Sequence, residues 1–143
     1  MKIISSILLV CALLLGSIVA QAQAEGVWLN QDATAHIEIY KNNNKLYGKI
    51  IWLKEPNDEQ GKPKTDPLNS NEKMRTRSRL GMVILVGLKA NGANYWDGGT
   101  IYNPKSGKTY SLQIKLQPDG KLHLRGFIGV SLLGETQMWT RVK

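Results

Sequence analysis

Gly26-Val27-Trp28 and Trp139-Thr140-Arg141 bracket the part of this chain that carries β-sheet patterning. If Trp28 enters a first strand and Arg141 sits on a last one, the two can meet where a barrel closes on itself. The flat indole and the flat guanidinium can stack there, cation over π face. Gly26, Trp28 and Arg141 are therefore expected to be structural.

Between the brackets run short β-rich segments separated by turn chemistry. Ala35 to Tyr40 alternates, with Ile37 and Ile39 on one face and Glu38 on the other. After the polar turn Lys41-Asn42-Asn43-Asn44, Leu46 to Leu53 is extended, which predicts Leu46, Gly48, Ile50 and Trp52 on one face. Lys54 to Arg79 is a long irregular segment with Pro56, Gly61, Pro63 and Pro67, and a loop of that length in a compact domain is commonly functional or disordered. Met82–Val86 is apolar and β-branched. Tyr95–Tyr102 is interrupted by Gly98-Gly99, which reads as a bulge or sharp bend. Tyr110–Leu116 alternates again, Leu122–Arg125 is a strand, and Thr136–Val142 is the last. About eight strands with hairpin connections and no amphipathic helix predict an all-β chain. A single antiparallel up-and-down barrel removes exposed edges; a two-sheet sandwich is the competing architecture.

Residues 1–24 read as a cleavable signal peptide: Lys2, an apolar stretch from Ile3 to Ala20, then the small-x-small site Ala22-Gln23-Ala24. A transmembrane reading is weaker, because no stop-transfer cluster follows. Cys11 lies inside the apolar segment after Val10, the wrong setting for lipidation. Cleavage after Ala24 would leave 25–143 as a single domain without cysteine, and would lower the formal charge from +8 to +7 by removing Lys2. Such a basic exported chain suits anionic partners, whether an envelope surface or a small anion, and nucleic acid is not expected there.

Several chemistries are absent from the pattern. Tyr102–Thr109 ends like a phosphate-binding loop but has Tyr102 at the first glycine position and joins two strands. Gly129–Gly134 has one residue too many after Ser131 for a nucleophile elbow. His36 and His123 share no metal-ligand spacing, and Asn57–Gly61 lacks the alternation of a calcium loop. Glu38, Asp58, Asp66 and Asp97 are carboxylates with no spacing that pairs them. No cofactor, no metal and no catalytic role are expected.

Three constellations remain as candidates for binding or for holding the loop. Arg75, Arg77 and Arg79 alternate, and if extended they form a basic ridge able to grip phosphate or carboxylate. Trp96, Tyr102 and Tyr110 combine apolar bodies with polar tips, suited to the mouth of a cavity, with Gly98 and Gly99 relieving crowding beside them. Asp66 and Asn69 flank Pro67 and are expected to act as a structural latch.

In order along the chain stand Gly26-x-Trp28, Leu46-Tyr47-Gly48-Lys49-Ile50, Asp66-Pro67-x-Asn69 and Leu80-Gly81. Trp96-x-Gly98-Gly99-x-Ile101-Tyr102-x-Pro104-x-Ser106-Gly107-Lys108-x-Tyr110, Leu124-Arg125-Gly126 and Trp139-Thr140-Arg141 follow. This set resembles domain-of-unknown-function family 2147, small exported proteins of Gram-negative bacteria. The resemblance implies a lipocalin-like (calycin-like) barrel in the periplasm and no particular reaction. Two functions follow as expectations. The barrel binds a small lipophilic or amphipathic anion such as a fatty acid, or it is a filled scaffold whose 54–79 loop docks an envelope partner or anionic surface.

Overall fold

The computed structural model describes residues 23–130 and 133–143. Residues 1–22 of the expected leader, with Lys2 and Cys11, and Ser131 of the Gly129–Gly134 turn lie outside the described residues. The strands are β1 (Gly26–Leu29), β2 (Ala35–Asn42), β3 (Lys45–Leu53), β4 (Val83–Ala90), β5 (Tyr95–Asn103), β6 (Lys108–Leu116), β7 (Leu122–Phe127) and β8 (Gly134–Arg141). Each pairs antiparallel with its neighbour, and β1 pairs with β8 to close the barrel. The sandwich alternative is thereby removed.

Turn chemistry sets the register. The β2–β3 hairpin turns on Asn43 and Asn44 alone, with φ of 50° and 61°. Two successive left-handed residues make the turn whose twist matches a hairpin, and Asn tolerates that conformation better than most residues. Lys41 and Asn42 consequently stay in the strand. Further along, the pairing shifts between His36 and Ile37, so that His36 faces Trp52 and Ile37 faces Ile50. The extra residue, Ile51, reverses the side on which Trp52 emerges. Trp52 is therefore 40% exposed and its ring lies 4.4 Å from that of His36, rather than beside Leu46, Gly48 and Ile50 as simple alternation predicts.

The barrel has two unlike ends. The termini and the turns at 43–44, 91–94 and 117–121 form the floor. The loops at 30–34, 54–82, 103–107 and 128–130 surround the mouth. Near the floor the interior is solid: Trp28, Ile39, Leu46, Leu85, Leu88 and Leu122 are all nearly or fully excluded from solvent.

Strand parity builds the floor itself. Trp28 pairs with Ile37 on one side and Arg141 on the other, so the indole and guanidinium share the inward face. The Arg141 guanidinium carbon sits 4.3 Å from the Trp28 ring centroid. Trp28 Nε1 donates to the Ala24 carbonyl at 2.8 Å, and Arg141 Nη1 donates to the Glu25 carbonyl at 3.0 Å. Val27 exchanges backbone hydrogen bonds with the C-terminal Val142 and Lys143. Gly26 has φ of 139°, and a Cβ there would lie 2.6 Å from Arg141 Nη1. Only glycine leaves room for the guanidinium at this point.

Replacing Trp28 removes a wholly buried aromatic, so Trp28→Ala is expected to cost about 3–5 kcal/mol in chemical denaturation. Gly26→Ala is expected to be destabilising as well. A Trp28→Ala protein as stable as the parent would show that the floor is not closed as described.

Candidate functional site

Above the solid floor the barrel is hollow. A cavity of about 640 Å3 runs from the mouth down to Ile37, Ile84, Leu112, Leu124 and Trp139. Small-molecule sites typically span about 300–1,000 Å3. The same period-two alternation that built the floor supplies the lining. Leu112 and Leu124 point inward, while Gln113, Lys115, His123 and Arg125 take the alternate, outer positions. Small Gly126 stands on the inward face of β7 between larger neighbours and lines the cavity, where a side chain would take up room.

The walls are apolar in depth and polar at the rim. Lys54, Lys64, Arg79 and Lys105 contribute cations there, against Asp32, Glu55 and Glu135. Glu55 is already 3.9 Å from Lys64. Arg79 stands apart. Its Nε is buried and has no hydrogen-bond partner among the described residues. Its backbone N–H is anchored on the Lys64 carbonyl at 2.9 Å, which fixes where the side chain starts. An unpaired buried donor is costly in a folded protein, and here it belongs to a residue of the cavity wall.

The 54–82 loop owes its place to a buried carboxylate. Asp66 is 0% exposed. It accepts from Tyr102 Oη at 2.6 Å, Asn69 Nδ2 at 2.9 Å and Arg77 Nε at 3.0 Å. Burial by itself would raise the Asp66 pKa. The hydrogen bonds from Tyr102, Asn69 and Arg77, with the Arg77 charge, outweigh that and hold it below the usual carboxylate value. Burial raises the Tyr102 phenol, and its bond to the Asp66 carboxylate and the charge there raise it further. The two therefore sit as a charged acceptor and a neutral donor. Gly107 completes the docking: Leu68 packs so closely on it that a Cβ would overlap the Leu68 carbonyl.

The expected basic ridge does not form. A 3-10 turn at Glu72–Met74 runs into Arg75, whose backbone is helical rather than extended, and the three arginines go separate ways. Arg75 Nε donates to the Asn69 carbonyl at 2.8 Å and pairs with Glu72 at 3.9 Å. Arg77 serves Asp66 and lies 5.5 Å from the Tyr102 ring. Arg79 alone of the three lines the cavity, together with Tyr102 at its rim and Tyr110 in its wall. Trp96 packs against the hydrophobic core. Gly98 and Gly99 sit at a register shift in β5, where a Gly99 Cβ would come within 2.6 Å of the Val86 carbonyl.

The scattered carboxylates are engaged separately. Glu38 pairs with Lys49, Asp58 accepts from the backbone of Gln60 and Lys62, and Asp97 accepts from Asn91. Sequence reasoning missed Lys54, Lys64 and Lys105 at the mouth, because nothing in their spacing links the 54–82 loop to the 103–107 turn. It also placed no weight on Leu112, Leu124 and Ile84 as cavity lining, since a packed interior and a hollow one leave the same alternation.

Comparison with known proteins agrees with this geometry. A family model described as an uncharacterized protein conserved in bacteria (DUF2147) matches residues 26–141. A search of curated proteins returned no match. Among solved structures, protein HP1028 from the human pathogen Helicobacter pylori, described as belonging to the lipocalin family, is similar. It is 29% identical with a TM-score of 0.74, covering 86% of this chain and 85% of that chain.

The latch carries its own pH signature. The lowered Asp66 pKa contributes stability above the ordinary unfolded value of about 3.9, and that stability is lost as pH falls through the folded value. The raised Tyr102 pKa contributes below about 10, and its share is lost as pH rises through the folded value. Asp66→Asn is expected to cost about 1.5–3 kcal/mol at neutral pH, with the deficit shrinking in acid. Tyr102→Phe is expected to flatten the alkaline limb of a melting-temperature profile. A constant Asp66→Asn deficit from pH 7 to pH 2 would contradict the assignment.

Proposed function

This chain belongs to the DUF2147 family, and we propose that its lipocalin-like barrel is a container for one small amphipathic anion in the periplasm of a Gram-negative bacterium. The apolar tail lies along Ile37, Ile84, Leu112 and Leu124, and the charged head stops at Arg79. The observation that carries this reading is the combination of a cavity of about 640 Å3 with a buried Arg79 Nε in its wall that has no partner among the described residues. A carboxylate or phosphate oxygen would satisfy that donor in a charge-assisted bond. The surrounding Lys54, Lys64 and Lys105 add attraction at the rim.

Export is supported by the leader-like residues 1–24. The reading is of binding rather than turnover. Docking to an anionic surface through the 54–79 loop has less support, because Arg75 and Arg77 are spent on Glu72, Asn69 and Asp66 within the chain.

Titration with a saturated long-chain fatty acid and with the alcohol of equal length tests this directly. The acid is expected to bind once per chain and to bind more tightly than the alcohol. Arg79→Gln should weaken acid binding about tenfold, equivalent to about 1.4 kcal/mol, and leave alcohol binding unchanged. No saturable binding of either, with no amphiphile in a denatured extract of the purified protein, would overturn the proposal.

A further inference from the structure

The small-x-small pattern that ends the leader occurs twice, two residues apart, as Ala20-Gln21-Ala22 and Ala22-Gln23-Ala24. Pattern alone reads the second as the cleavage site. The barrel floor argues for the first. We propose that the leader is removed after Ala22, so that the mature chain begins at Gln23 and residues 23–24 are part of the folded barrel; the inference rests on the export reading above.

Ala24 is 0% exposed and belongs to the hydrophobic core beside Trp28. Its carbonyl is the acceptor for the buried Trp28 Nε1 at 2.8 Å. Gln23 holds the next contact: its carbonyl accepts from Arg141 Nη2, as that of Glu25 accepts from Nη1. Two backbone carbonyls thus aim the guanidinium that lies over the Trp28 ring. A cut after Ala24 would strip the indole of its acceptor, leave an alanine-sized void under it and release one hydrogen-bonded edge of Arg141. A cut after Ala22 keeps every one of these contacts.

The peptidase acts on extended chain, so the fold does not steer it. What the floor shows is that residues 23 and 24 have a place in the folded protein that a discarded leader would not need. An N-terminal Gln23 also has chemistry of its own. Attack of its α-amine on the side-chain carboxamide carbon forms a lactam C–N bond and releases ammonia, removing the terminal charge.

The test is the intact mass of the full chain, expressed with its leader in a Gram-negative host and purified from the periplasm. The expected product begins at Gln23, with or without loss of one ammonia. A product beginning at Glu25 overturns the inference and leaves export standing. An unprocessed cytoplasmic chain removes the export reading and this inference with it. Ala20→Leu, which spoils only the first site, should abolish the Gln23 product; a Gln23 start that survives it would contradict the assigned site. Chains made to begin at Gln23 and at Glu25 provide a separate measure, with the shorter expected to melt about 5 °C lower. Equal melting temperatures would contradict the structural role of residues 23–24.

Discussion

The stack of Arg141 on Trp28 is the constraint on which the rest of the molecule depends. An eight-stranded barrel must join its first strand to its last, and β1 offers only four residues for the purpose. Two paired positions, Trp28 with Arg141 and Leu29 with Thr140, make the seam, extended by the backbone bonds of Val27 to Val142 and Lys143. So short a ladder supplies little by itself. The buried indole, the guanidinium over it and the carbonyls that grip both turn a weak seam into a sealed floor. Opening it would expose two strand edges and the core beneath.

Sealing one end makes the other available. With Trp28, Leu46, Leu85, Leu88 and Leu122 filling the floor, the barrel is stable without a packed upper half, and space above Ile37 and Leu112 can stay open. An open mouth still needs its longest loop held aside. Asp66 does this from a position fully out of solvent, tied to Tyr102 on β5 and Arg77 on the returning loop. A buried carboxylate without such partners would be strongly unfavourable, so the loop either adopts this arrangement or leaves Asp66 exposed. The division of labour among the three arginines follows. Arg75 and Arg77 hold the loop, and Arg79, past the latch, is free to face the cavity.

Much of the fold was legible because alternation is a local signal. Ile37 and Ile39, Leu112 and Ile114, and Leu122 and Leu124 each announced an inward face, and Gly26-x-Trp28 with Arg141 announced closure. Trp52 was misread because one bulged residue, Ile51, inverts the parity of everything after it, and no composition marks a bulge without glycine. The arginine ridge was misread for a similar reason. Period-two spacing matters only if the segment is extended, and Asn71, whose side chain accepts from Lys73, turns the chain into a 3-10 turn just before Arg75. Asp66 and Asn69 could be read as a latch from their turn context, but their partner Tyr102 lies 36 residues away from Asp66. Hollowness is the property furthest from the sequence. It depends on whether inward side chains from opposite walls meet, and local pattern carries no measure of that distance.

On the function proposed above, the cavity above the floor, and no outer surface, receives the ligand. Methyl-resolved NMR during titration with a long-chain fatty acid tests it most directly. Saturable shifts confined to Ile37, Ile50, Ile84, Leu112 and Leu124, with Leu46 and Leu88 near the floor unmoved, are expected. Shifts restricted to outward residues such as Val86 and Met138, with the cavity methyls unchanged, would contradict it.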